Sequence, residues 1–157
     1  MYAGEQTGSS AKAILIGKLH SVAGLEQVRE RIAQKLKSDS AHIEDVNQYL
    51  YGLGGKQLRP ILALLCFQAL VPDQSSSNAM PTLPDELIDI AAGIELIHMA
   101  SLLHDDIIDR ADLRRHKPSA LVTFGLPATL LTGDYLLVRA YSLCARLDRA
   151  IILETES

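Results

Sequence analysis

Residues 84–109 place the strongest constraint on how this chain can fold. Leu87, Ile90, Ala91, Ile94, Ile97, Leu102, Ile107 and Ile108 recur at helical spacing over much of the circumference, not along one stripe. A helix apolar on most sides is stable only with neighbours on most sides, so it belongs in the middle of a bundle. Composition agrees: with five Tyr, two Phe and no Trp in 157 residues, Leu, Ile, Val and Ala must fill the interior. A chain of this length can form one domain that buries roughly 70% of its unfolded surface.

The flanking segments also read as helices. Over 13–37, Leu15, Leu19, Val22, Leu25, Val28, Ile32 and Leu36 stand three or four apart, which predicts one amphipathic helix running through Gly17 and Gly24. Ser38, Asp39 and Ser40 offer capping groups for a short second helix carrying Ile43, Val46, Tyr49 and Leu50, ended by Gly52, Gly54 and Gly55. Pro60 suits the first turn of a third helix reaching about Leu70. Residues 72–84 have the Pro, Ser, Asn and Asp content of a surface loop, and after Pro118 a loop with Gly125 and Pro127 leads into a final helix over about 128–153. No strand pattern competes, and the expected fold class is all-α. Residues 1–12 read as a disordered lead-in and 13–157 as the folded region.

Several function classes are disfavoured. A net charge of −4 gives no global attraction to nucleic acid or an anionic membrane, so any anion site must be local. The longest apolar run, 60–67, is stopped by Gln68, well short of the ~20 residues of a membrane-spanning helix. The first residues lack the basic and apolar regions of a signal peptide. Cys66 and Cys144 have no metal-binding or disulfide-framework spacing and are expected to be buried thiols. A soluble, cytoplasmic protein is the expectation.

Asp105, Asp106 and Asp109 stand at i, i+1 and i+4 at the end of the central helix. Asp105 and Asp109 then lie one above the other, where they repel each other and the negative end of the helix dipole. A hard divalent cation reverses that balance, because Mg²⁺ is commonly held by one or two carboxylates plus substrate phosphate oxygens. The plainer reading is a solvated helix end, since 105–117 holds four acids and four bases. His98 lies two helical turns before Asp105, about 20° off the same face, and lines the same groove, although a single His on an apolar helix is also an ordinary packed residue. Farther back, Gly54-Gly55-Lys56-Gln57-Leu58-Arg59-Pro60 brings two cations and a glycine turn to a helix start. That is either a phosphate pocket or a loop with two exposed basic residues. Arg114 and Arg115 form a second basic pair, and two basic sites beside a metal-binding cluster imply two anionic substrates.

Together these motifs resemble the trans-prenyltransferases, the polyprenyl diphosphate synthases of the all-helical isoprenoid (terpenoid) synthase fold. Gly54-Gly55-Lys56-x-x-Arg59-Pro60 is similar to the family's diphosphate-binding motif, and Glu95 to His98 followed by Ser101 to Asp109 is similar to its first aspartate-rich region. Leu113-Arg114-Arg115 is similar to the paired arginines behind it, and Gly133-Asp134-Tyr135-Leu136 resembles the start of the family's next core helix. The resemblance implies that Lys56, Arg59, His98 and Arg115 bind isopentenyl diphosphate. It implies that Asp105, Asp106 and Asp109 hold Mg²⁺ on an allylic prenyl diphosphate that Arg114 also contacts, making Asp105, Asp109 and Arg114 the catalytic set. The small residues Ala100 and Ser101, just before Asp105, imply a deep tunnel and a product longer than farnesyl. A homodimer or a heteromeric assembly is implied as well.

Gln57 stands where the family commonly has a basic residue, and His116 where it commonly has Gly. The family also carries a second aspartate-rich motif and a further Lys in its C-terminal half. After Asp109 the acids here are Asp112, Asp134, Asp148, Glu154 and Glu156, and none forms such a motif. The resemblance therefore implies the N-terminal half of a prenyl synthase, incomplete as an enzyme. The alternatives are a partner subunit of a heteromeric synthase or a non-catalytic diphosphate-binding helical protein.

Overall fold

The computed structural model describes residues 19, 21–70, 83–145 and 147. Five helices and one short hairpin make up the described residues: α1 (Leu25–Leu36), α2 (Ala41–Gly52), α3 (Leu58–Leu70), α4 (Asp85–Ile108), β1 (Leu113–Arg114), β2 (Lys117–Pro118) and α5 (Ala120–Cys144). The all-α expectation holds, with the antiparallel pair β1–β2 as a local exception that the sequence pattern did not predict. The lead-in at 1–12, residues 72–82 of the expected loop and the stretch beyond 147 lie outside the described residues, while the last helix, expected to reach about 153, closes at Cys144 with Ala145 as its C-cap.

α4 runs through the middle. It packs along α5 on one side and against α1 and α3 on the other, while α2 closes against α5. The core is aliphatic: Leu64, Leu96, Leu103, Leu136 and Leu143 are fully buried, with Ala91, Ala92, Ala100 and Ala140 where helices approach closely. α4 keeps one open face, however, on which Ile94, Ile97, Ser101, Asp105 and Ile108 are all exposed. These stand three or four residues apart, so they form one track along the helix.

The helix expected to run through Gly24 is interrupted there: Leu19 is helical, residues 21–24 are not, and α1 begins at Leu25. Gly24 has φ 88, a left-handed conformation, and a β-carbon there would drive into the side chains of Leu83 and Leu64. From Leu25 onward the predicted spacing is seen, with Leu25, Val28, Ile32 and Leu36 buried. Buried Asn47 donates to the Leu36 carbonyl at 2.8 Å, satisfying an end of α1 that has no partner in its own helix. Ser40 takes the N-cap position of α2 but makes no side-chain cap bond.

α5 starts earlier than expected. Ser119 caps it, accepting from the Val122 N–H at 3.2 Å, and the predicted Gly125–Pro127 loop is only a break within the helix, with Gly125 at φ 79. A proline ring removes a helix hydrogen bond and clashes one turn back, so the glycine breaks the helix two residues ahead of Pro127. Thr129 and Thr132 donate to the carbonyls of Gly125 and Ala128 at 2.8 and 2.7 Å.

Two expectations change. Cys66 is exposed and Cys144 half-buried, so neither is a fully buried thiol. α3 presents Leu58, Leu62, Leu65 and Leu70 to the outside, and Cys66 shares that open side. Counting uninterrupted apolar residues also understated two segments, since α4 and α5 are each long and apolar enough overall to cross a membrane by length and composition. Of those stretches 56% is buried in α4 but only 22% in α5, and burial in a bundle core satisfies the same composition for α4.

α4 and α5 meet closely at Gly133, where a β-carbon would collide with the imidazole of His104. The His104 Nε2 also stands 3.5 Å from the Asp134 carboxylate. Gly133→Ala gains up to about 1 kcal/mol of helix propensity but incurs about 1–3 kcal/mol of overpacking. A net loss of stability in urea denaturation is expected; a variant as stable as the parent would mean that the imidazole yields freely.

Candidate functional site

The site forms where α4 ends. Asp109 caps the helix, its N–H donating to the Asp105 carbonyl at 2.8 Å, so the two aspartates occupy successive turns. Both are exposed. Asp106 differs: it is 2% exposed, and both its oxygens are taken by Arg114. Arg114 Nε donates to Oδ1 and Oδ2 at 3.0 and 2.9 Å, Nη2 donates to Oδ1 at 2.6 Å, and Nη2 also reaches the Leu102 carbonyl at 3.2 Å. This forked pairing, with Asp105 and Asp109 adding to the field, raises the Arg114 pKa despite its partial burial. The acidic run thus divides into two outward carboxylates and one that anchors an arginine.

The hairpin explains the position of Arg115. Arg115 and His116 are the two loop residues between β1 and β2, at φ 52 and 65. Positive φ at both central positions is the turn that matches the twist of a two-residue hairpin. While Arg114 faces α4, the Arg115 guanidinium lies against the glycine turn, and a β-carbon on Gly55 would stand 3.4 Å from its Nη1. The two basic motifs expected to form separate sites therefore share a wall.

Between them is a cavity of about 240 Å³, lined by Gly54, Gly55, Glu95, His98, Arg114 and Arg115, together with Arg29 and Gln57, which sequence reasoning had not placed in a site. Lys56 and Arg59 are exposed at its margin and outside its wall. The Arg59 charge is nevertheless felt by both Glu95 and His98. Burial lowers the His98 pKa, and Arg59, Arg114 and Arg115 lower it further while Asp105 opposes them. His98 is therefore a neutral hydrogen-bonding group near pH 7. Of the chain-length candidates, Ala100 is fully buried in the core. Ser101 lies on the open face, its hydroxyl donating to the His98 carbonyl at 2.8 Å.

Glu95 is the unexpected member. It is 9% exposed, and its Oε2 has no hydrogen-bond partner. Burial raises its pKa, only partly offset by Arg59 and Arg115. Among the described residues no three His, Cys, Asp or Glu side chains converge to hold a metal by themselves.

Two consequences can be measured. Arg114→Met leaves Asp106 charged in the core and is expected to cost about 3–5 kcal/mol in denaturant unfolding, whereas Asp105→Asn, on the surface, should change stability little. Equal effects would overturn the division between the aspartates. Glu95 binds its proton more tightly folded than unfolded, so the native fold loses stability as pH rises from the ordinary glutamate value to the raised one. Glu95→Gln should therefore melt above the parent at pH 7, with the gap closing in acid. A gap independent of pH would assign it to packing alone.

Comparison with known proteins places these features in a lineage. The polyprenyl synthetase profile matches residues 40–157. An octaprenyl diphosphate synthase of Haemophilus influenzae is 36% identical over 129 residues, covering 82% of this chain and 36% of the relative. Decaprenyl-diphosphate synthase subunit 1 of Schizosaccharomyces pombe is 37% identical over 147 residues, covering 83% of this chain and 39% of the relative. A polyprenyl synthase of Caulobacter crescentus, crystallised with calcium and isoprenyl diphosphate, superposes with a TM-score of 0.75 at 30% identity, over 90% of this chain and 41% of that one. The chain thus spans well under half the length of these relatives. It belongs to the polyprenyl synthetase family.

Proposed function

We propose that this chain carries the diphosphate-recognition half of a polyprenyl diphosphate synthase, which joins isopentenyl diphosphate to an allylic prenyl diphosphate in head-to-tail elongation. The observation that carries the reading is Arg115 lying against Gly55. It joins the glycine turn, His98 and the arginine pair around one anion-sized cavity, with His98 about two helical turns from Asp105 and three from Asp109. Isopentenyl diphosphate is assigned to Lys56, Arg59, His98 and Arg115. The allylic diphosphate is assigned to Asp105 and Asp109, with Arg114 beside them.

Asp105 and Asp109 fit Mg²⁺ by their chemistry: two exposed carboxylates on successive turns are an all-oxygen, hard donor set completed by ligand phosphate oxygens. When bound, Mg²⁺ supplies charge that stabilises the departing diphosphate. Asp106 is assigned to holding Arg114, not to the metal. Arg114 and Arg115 place fixed positive charge where the diphosphates lie, which costs no reorganisation during reaction. Neutral His98 offers a hydrogen bond to isopentenyl diphosphate. The open face of α4, with Ile94 and Ile97 leading away from Asp105, gives a growing prenyl chain an apolar wall that keeps water from a carbocation. Ser101 is the chain-length position on that track, whereas a large side chain at Ala100 would first disrupt the core. No protein nucleophile is needed. The relative named as subunit 1 supports a heteromeric assembly; a homodimer is the alternative, and a cytoplasmic setting is part of the same reading.

The test is calorimetric titration of the 157-residue chain with geranyl diphosphate and with isopentenyl diphosphate, each with and without Mg²⁺. Geranyl diphosphate should bind only with Mg²⁺, and Asp105→Ala with Asp109→Ala should abolish that binding while leaving isopentenyl diphosphate bound. Metal-dependent binding that survives the double substitution would overturn the assignment.

A further inference from the structure

Three arginines face the cavity between the glycine turn and α4, and they are not equivalent. Arg114 is committed to buried Asp106 by its forked hydrogen bonds. Arg115 and Arg29 remain. Arg29 comes from α1 and reaches the glycine turn across 28 residues of sequence, its Nε donating to Gln57 Oε1 at 2.9 Å. Its Nη1 stands 3.1 Å from Glu26 Oε2, but Glu26 is 73% exposed, so water screens that pair and leaves the guanidinium charge largely available.

Gln57 is held in a demanding conformation. Its φ is 48, which a residue with a side chain keeps only where the surroundings fix it. Its amide is fixed at both ends, accepting from Arg29 and donating to the Tyr51 hydroxyl at 3.5 Å. An uncharged side chain, pinned this way beside Lys56, serves as a bracket that aims a neighbouring cation. Gly54 and Gly55, without side chains, line the same cavity as that cation.

We infer that Arg29 is a diphosphate-binding residue of this cavity, working together with Arg115, with Gln57 as the positioning residue that aims it. The inference rests on the reading of the cavity as the isopentenyl diphosphate site, and it adds an arginine from α1 that none of the recognised motifs contains. A guanidinium can make two parallel bonds to a phosphate group, which an ammonium cannot.

The experiment is titration of the full chain with isopentenyl diphosphate and with inorganic diphosphate, comparing the parent with Arg29→Ala, Arg29→Lys, Gln57→Leu and Arg115→Ala. Melting curves accompany each variant, and Arg29→Lys serves where Arg29→Ala does not fold. Arg29→Ala should weaken both ligands by about tenfold or more, the value of a charge-assisted hydrogen bond. Arg29→Lys should recover part of that loss, and its affinity should depend on salt as the parent's does, because the charge remains. Gln57→Leu should weaken binding less than Arg29→Ala and add nothing when combined with it. If Arg115→Ala weakens binding while Arg29→Ala and Arg29→Lys leave it unchanged, the inference falls and the reading of the cavity stands. A parent chain that binds neither ligand overturns both.

Discussion

The site depends on one ion pair, between Arg114 and Asp106. Asp106 is buried on α4 and Arg114 is the last residue of β1, so their forked bond fixes the hairpin to the central helix. A hairpin of two residues per strand has almost no stability of its own. Anchored at Arg114, it has a defined orientation, and the next residue, Arg115, is carried to the glycine turn 60 residues earlier in the chain. The Ser119 N–H, donating to the Asp112 carbonyl at 2.9 Å, and the Tyr49 hydroxyl, donating to the Pro118 carbonyl at 2.7 Å, hold the base of the same hairpin. A buried ion pair adds little net stability because desolvation cancels much of the attraction. Its contribution here is positional.

That arrangement accounts for much of what the sequence revealed and what it concealed. The central helix was legible because helical spacing of apolar residues is dictated by burial, and the buried set of α1 followed the same rule. The break at Gly24 was not legible. Glycine within a helical pattern is common, and it is Leu83 and Leu64, distant in sequence, that leave no room for a side chain at this one. The start of α5 was misread for the opposite reason: Gly125 and Pro127 are strong local signals of a loop, but packing carries the helix on either side of a single distorted residue. The hairpin escaped notice because two-residue strands have no periodicity, and its turn uses Arg115 and His116 where glycine or asparagine would have announced it.

Within the site, residue types and spacing identified the participants but not how they divide the work. Three aspartates at i, i+1 and i+4 read alike in one dimension. On the helix, i and i+4 share a face and i+1 lies about 100° away, which turns Asp106 into the core. The same rotation separates Ala100, buried, from Ser101, open. Arg29 and Glu95 lay beyond sequence reasoning for different reasons. Arg29 sits on a charged helix face that looks like ordinary surface, and only its bond to Gln57 marks it out. Glu95 looks like one more polar residue on a helix until its burial beside two arginines is seen.

Glu95 also bears on how the cavity gathers its arginines. Several guanidinium groups around a small space repel one another, and a bundle that gathers them must offset that repulsion. Asp106 does so for Arg114 by direct pairing. Glu95 does so at longer range for Arg59 and Arg115, whose charges lower its pKa while burial raises it. Burial outweighs the two arginines, so the Glu95 carboxyl holds its proton more tightly than an ordinary glutamate. Arg114, fixed by Asp106, and Arg115, carried with it to the glycine turn, present their charges without rearrangement, which is the preorganisation that fixed charges need to act on an anion.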